Sequence, residues 1–289
     1  MNKKFAFPAL CFFLIFGTVL FSLNLKRAHA TLSVGGKTLV LYDAASGAIP
    51  TAPLMNFTDF PTGAASPAYA NGVTIMDTTT SGSSTYAGWI SNGTTTTEFP
   101  ILDRTAGFQV DFTVQVENES HTNNNRAGFS IIILSDDNQG IELALWENEI
   151  WAQNDDTTGG LFKHGEGTSF ATTAGLIHYQ VIVVNDTYSL SANNKPILTG
   201  HVRDYSKFSG FPDPYETPNF LFLGDETTSA QSRIRLGLVS VTGTERTTST
   251  SSPLPPGSPT PPPLNIIPSP SPTPTMKDFD FCPLIHYRP

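Results

Sequence analysis

Between Thr31 and about Gly243 the chain repeats one pattern, in which short apolar or alternating runs are separated by polar turns. The runs are KTLVLYD (37–43), GVTIMDT (72–78), GFQVDFTVQVE (107–117), GFSIIILSD (128–136), GIELALWEN (140–148), EIWAQND (149–155), HYQVIVVN (178–185), TYSLSAN (187–193), PNFLFLGD (218–225) and IRLGLVSVT (234–242). Each has strand length and strand composition. In GFQVDFTVQV, residues Phe108, Val110, Phe112, Val114 and Val116 fall on one side, with Gln109, Asp111, Thr113 and Gln115 on the other. That is the signature of a strand with one face in the core and one in water. GFSIIIL is apolar on both faces, which predicts a central strand whose second face is also covered. SDDNQG, Glu147-Asn148-Glu149 and Asn185-Asp186 supply turn residues between neighbouring runs. No amphipathic helix is interleaved, so the prediction is an all-β, antiparallel, two-sheet sandwich.

Composition adds the compartment. Only 14% of the 289 residues are charged, and the formal net charge is −9, which argues against nucleic acid or an anionic membrane as partner. Residues 1–30 read as a secretory signal: Lys3 and Lys4, an apolar run from Phe5 to Leu25, and Ala28-His29-Ala30 as the cleavage site. The alternative is an uncleaved anchor, because the run is about as long as the ~20 residues of a spanning helix. Cleavage leaves no membrane-embedded domain, a secreted or cell-surface location, and Cys282 as the one remaining cysteine. The sandwich then occupies 31–243, a Thr/Ser/Pro-rich stalk 244–275 and a short tail of unassigned role 276–289.

Candidate chemistry concentrates in one hairpin. Glu142, Ala144 and Trp146 share a face, with Glu149 and Trp151 on the partner run. Glu142 and Glu147 stand where the E-x-D-x-x-E strand of laminarinase-type retaining glucanases has its two catalytic carboxylates, but the middle Asp is Ala144. Catalysis is therefore the alternative rather than the first expectation. The binding reading takes Arg126, Trp146, Glu149, Trp151, Asn154, His164 and Glu166 as an aromatic platform with planar polar groups for a saccharide or other polar polymer. No histidine pair has zinc spacing, and no cofactor is expected beyond a structural calcium ion, whose loop oxygens would come from Asp136, Asp137 and Asp225.

Across GFQVDFTVQVENESHTNNNRAGFSIIILSDDNQGIELALWENEIWAQND, FKHGEG, YSLSANNKPILTGHVRDYS and PNFLFLGDETTSAQSRIRLGLVSV, roughly Val40 to Val241, the chain resembles the choice-of-anchor Y domain family of exported bacterial proteins. The resemblance implies a concanavalin A-like, laminin-G-like jelly roll. It marks the segments around Asn125-Arg126, Trp146, Glu149 to Asn154, His164-Gly165-Glu166 and Gly224-Asp225, and assigns none of them a role. The expected function is a non-catalytic exported module that binds an extracellular polysaccharide or cell-surface polymer. A divergent glycosidase and a ligand-free coat component are the alternatives. At least two of the Arg126, Trp146–Asn154 and His164 segments are expected to line one concavity.

Overall fold

A computed structural model describes residues 34–80, 86–210 and 212–246. The signal, most of the stalk and the tail lie outside the described residues. Two antiparallel sheets face each other. The first is built from β1 (Lys37–Asp43), β3 (Ala68–Ala70), β4 (Val73–Asp77), β6 (Phe108–His121), β11 (Ile177–Val184), β12 (Thr187–Ala192), β13 (Lys195–His201) and β16 (Ala230–Gly243), in the order β13-β12-β11-β6-β16-β4-β3 with β1 also on β16. The second holds β2 (Asn56–Phe60), β5 (Tyr86–Asn92), β7 (Ser130–Leu134), β8 (Gln139–Leu145), β9 (Glu149–Gln153), β10 (His164–Ser169), β14 (Arg203–Asp204) and β15 (Phe220–Asp225), in the order β10-β9-β8-β7-β15-β5-β2 with β14 also on β8. The predicted all-β two-sheet sandwich is the observed fold.

Alternation explains where the core sits. On β6, Phe108, Val110, Phe112, Val114 and Val116 are wholly buried, and they meet Ile131, Ile133, Ile141, Leu143, Leu145 and Ile150 of the second sheet. Removing one such large side chain costs about 2–5 kcal/mol. The outward face of β6 is polar, and there Asp111 accepts from Gln109 (2.7 Å) and Gln180 (3.2 Å).

The doubly apolar run at β7 is likewise covered twice. Ile132 and Leu134 point away from the main core into a smaller cluster with Tyr205, Tyr215, Phe220 and Phe222. Its cover comes from residues described on either side of 211, which bring Tyr205, Phe208 and Tyr215 against Phe162 over the outer face of the second sheet. Among the described residues, no helix is long and apolar enough to cross a membrane.

Candidate functional site

The three segments singled out from the sequence do converge. Arg126 O accepts from Trp146 Nε1 (2.8 Å), and an Arg126 guanidinium N–H donates to Phe162 O (2.8 Å). His164 N donates to Asn125 Oδ1 (2.9 Å), and its ring Nε2 lies 3.1 Å from Glu149 Oε1. Around these bonds runs an aromatic ladder. His121 stacks on Trp146 with centroids 4.2 Å apart, Trp146 meets the edge of Trp151, and Trp151 stacks on His164 at 4.2 Å. Each histidine has a carboxylate, Glu119 for His121 (2.9 Å) and Glu149 for His164. Burial raises the Glu119 carboxyl above the ordinary range, against the opposing bond from His121.

The ladder is packed rather than open. Trp151 has no exposed surface and Trp146 is half-buried, so the expected pair of tryptophans presents no platform to a ligand. Strand parity does set Trp151 on the outer face beside Ala144, but there His164 stacks on the indole and Ala127 and Trp146 pack around it, so the fold covers it.

The concavity lies on the other side of His164. Asn154, Thr158, His164, Gly165, Glu166, Thr187, Thr199, Gly200, His201 and Arg203 line an open groove of about 720 Å³. Of the residues expected to bind, Asn154, His164 and Glu166 reach it, while Arg126, Trp146, Glu149 and Trp151 do not line it. At its floor the Arg203 guanidinium donates to Asn154 Oδ1 (3.2 Å) and pairs with Glu166, whose other oxygen accepts from Tyr188 Oη (2.7 Å). Burial tends to raise Glu166, but the bonds from Arg203 and Tyr188 outweigh it and hold the carboxylate below its usual range.

Local sequence explains why the groove exists. A register shift between His164 and Gly167 places a bulge in β10, and bulges re-aim side chains. A Cβ on Gly165 would stand 2.6 Å from Asn154 Oδ1 and 2.7 Å from Ala152 O, and one on Gly200 would overlap the Glu166 carboxyl. Those two glycines leave the room that the Asn154–Arg203–Glu166 triad fills. Sequence reading passed over Arg203, Tyr188 and His201, although the string TGHVRDY carries Gly200, His201 and Arg203 together.

Glu142 and Glu147 do not form a glucanase pair. Glu142 is fully buried on the outer face of β8 and accepts from Tyr215 Oη (2.6 Å), whereas Glu147 is exposed in the following turn and accepts from Glu119 N (3.1 Å) of the opposite sheet. The proposed calcium loops separate as well. Asp136 and Asp137 follow the C-terminal end of β7, while Asp225 follows Gly224, which pairs with Ser130 at its N-terminal end. Four residue steps of about 3.3 Å lie between those ends. Asp137 is committed to Arg104 (2.8 Å), and Asp225 accepts from Thr78 Oγ1 (2.6 Å). Among the described residues, no three His, Cys, Asp or Glu side chains are grouped to hold a metal ion.

No protein-family model and no curated protein matches the chain. Solved structures do. A carbohydrate esterase from the Shiga toxin-encoding bacteriophage phi24B is similar at 12% identity, over 73% of this chain and 100% of that one, with a TM-score of 0.46. A protein of unknown function with a galectin-like fold from Bacillus subtilis is similar at 8% identity, over 74% and 99%, with a TM-score of 0.44. The exoplasmic domain of VIP36 in its Ca2+- and mannose-bound form is similar at 11% identity, over 73% and 91%, with a TM-score of 0.40.

Proposed function

We propose that this chain is an exported, non-catalytic module of the choice-of-anchor Y type that binds an extracellular glycan in the groove between β10 and β13. One observation carries the reading: an amide, a carboxylate and a guanidinium are locked together at the groove floor by Arg203. The exposed residues Thr158, Thr187, Thr199 and His201 and the half-buried His164 surround them, each threonine hydroxyl donating to the protein and keeping its acceptor side for a ligand. A few fixed polar groups in a concavity are what orient a polyhydroxylated ligand. The predicted signal and stalk suit a surface or secreted location for such a module.

Glycan-array binding of the purified protein tests it, using Thr187→Ala and His201→Ala. Both side chains are exposed, so their loss leaves the fold intact. Binding reduced at least tenfold in either variant supports the groove. Binding unchanged in both moves the ligand elsewhere, and no binding by the parent protein favours a ligand-free coat component.

A further inference from the structure

A second polar cluster lies apart from the groove, on the outer face of the second sheet and beneath Tyr205 and Tyr215. Its centre is Glu142, which has no exposed surface. One of its oxygens accepts from Tyr215 Oη, and no N–H or hydroxyl donor of the protein reaches the other, Oε1. The register that pairs Leu143 with Ala152 sets Gln153 of β9 opposite Glu142 on the same face. Gln153 is 2% exposed, its amide nitrogen is turned to Asn125 O (3.4 Å), and its Oε1 also has no partner. Glu226, just past β15, brings a second carboxyl to within hydrogen-bonding reach of the Glu142 carboxyl and close to Tyr215. The Tyr205 hydroxyl beside them is already used, accepting from Glu142 N (3.2 Å) and donating to Gln153 O (2.8 Å). Arg126 is the cation near Glu226, and it spends hydrogen bonds on two backbone carbonyls.

The cluster is therefore rich in acceptors, and the one unpartnered donor on the same face of β9, Trp151 Nε1, bonds none of them. Buried polar oxygens without donors are costly, and two carboxylates side by side disfavour each other's charge. A proton shared between Glu142 and Glu226 would relieve the carboxyls but leave the Gln153 oxygen unmet. A hard divalent cation would meet all of them at once. We propose that Glu142, Glu226 and Gln153, beneath Tyr215, form a binding site for a divalent cation that prefers oxygen ligands, with calcium favoured over magnesium. Calcium accepts mixed carboxylate and amide oxygens in irregular geometry, whereas magnesium demands a near-octahedral set and keeps its waters. Two carboxylates place the affinity at the weak end of calcium sites, about 10⁻⁴–10⁻³ M, where extracellular modules lie.

Calcium titration with thermal unfolding, and terbium luminescence sensitised through Tyr205, Tyr215 and Trp151, test the site on the full chain. Saturating calcium should raise the unfolding midpoint by about 5 °C, magnesium should do much less, and terbium should emit. Glu226→Gln and Gln153→Leu should each weaken the calcium effect at least tenfold, while Asp137→Asn, at the other end of β7, should leave it unchanged. A midpoint that calcium does not move, with no sensitised emission, overturns the proposal in favour of a shared proton. A shift that survives in both cluster variants overturns it in favour of a site elsewhere.

Discussion

Glu166 and Glu226 are both glutamates set against a tyrosine at the second sheet, and they are driven in opposite directions. At the groove floor Glu166 meets a guanidinium and a phenol, and its carboxylate is held below the usual range. Beside Glu142, burial first and then the neighbouring carboxyl push Glu226 well above it. Burial opposes the charged form in both places, so the partner decides the outcome. One site is complete within the protein and turns its remaining capacity to solvent. The other sets a carboxyl against Glu142, which Tyr205 and Tyr215 close over.

The strongest way to break this contrast is Arg203→Met. It strips the groove floor of the group that joins Asn154 to Glu166, and breaking a buried pair from one side costs about 3 kcal/mol, reduced by the partial exposure of Glu166. Denaturant unfolding at neutral pH should show a loss of about 2–3 kcal/mol, and a loss below half of that would mean the pair is not organising the groove. Glu166→Gln and Glu226→Gln then sharpen the comparison by sign. In calcium-free buffer at neutral pH the first should destabilise by about 1–2 kcal/mol, while the second should be neutral or stabilising, since it removes a like-charge neighbour from Glu142.

Their pH dependence should divide the same way. The lowered Glu166 contributes stability above the ordinary carboxylate range, lost as pH falls through its folded value. The raised Glu226, and Asp225, which burial also pushes well above the usual range, bind protons more tightly when folded. Their contribution is full below the ordinary range and is lost as pH rises toward their folded values. Midpoints measured from pH 3 to pH 9 without calcium should show Glu166→Gln flattening the acid limb and Glu226→Gln flattening the decline above pH 5. The smallest effect belongs to the groove wall. Thr187→Ala should change stability by less than about 0.5 kcal/mol while reducing ligand binding, and equal losses of both would return this residue to a purely structural role.

Much of the architecture was legible without coordinates. The period-two pattern of β6 and the doubly apolar run of β7 assigned faces correctly, because side-chain direction along a strand is a local property. Less legible was β5, which is absent from the predicted runs because Gly88 and Ser91-Asn92 are residue types that turns favour. In the fold it is an interior strand that buries Trp89, and a Cβ at Gly88 would run into the Phe222 ring. The edge strands β2, β3, β10 and β13 escaped for a related reason, since short, partly exposed strands carry little apolar signal.

Candidate chemistry divided along the same line. Sequence marked Asn154, His164 and Glu166, whose residue types suit recognition, and all three reach the groove. It could not mark Arg203 as their partner, nor Glu226 and Tyr215 as neighbours of Glu142, and it placed Trp151 on a ligand face where the fold seals it. Parity along one strand is fixed by the backbone of that strand. Which polar side chains meet depends on sheet order, on a bulge in β10 and on residues laid over the second sheet, and those contacts join residues 37 and 73 positions apart, Glu166 to Arg203 and Glu142 to Tyr215. The sequence by itself thus determined the strongly patterned strands and which side of each faces the core. Only the tertiary structure decided which carboxylate receives a cation from the protein and which is left facing another carboxylate.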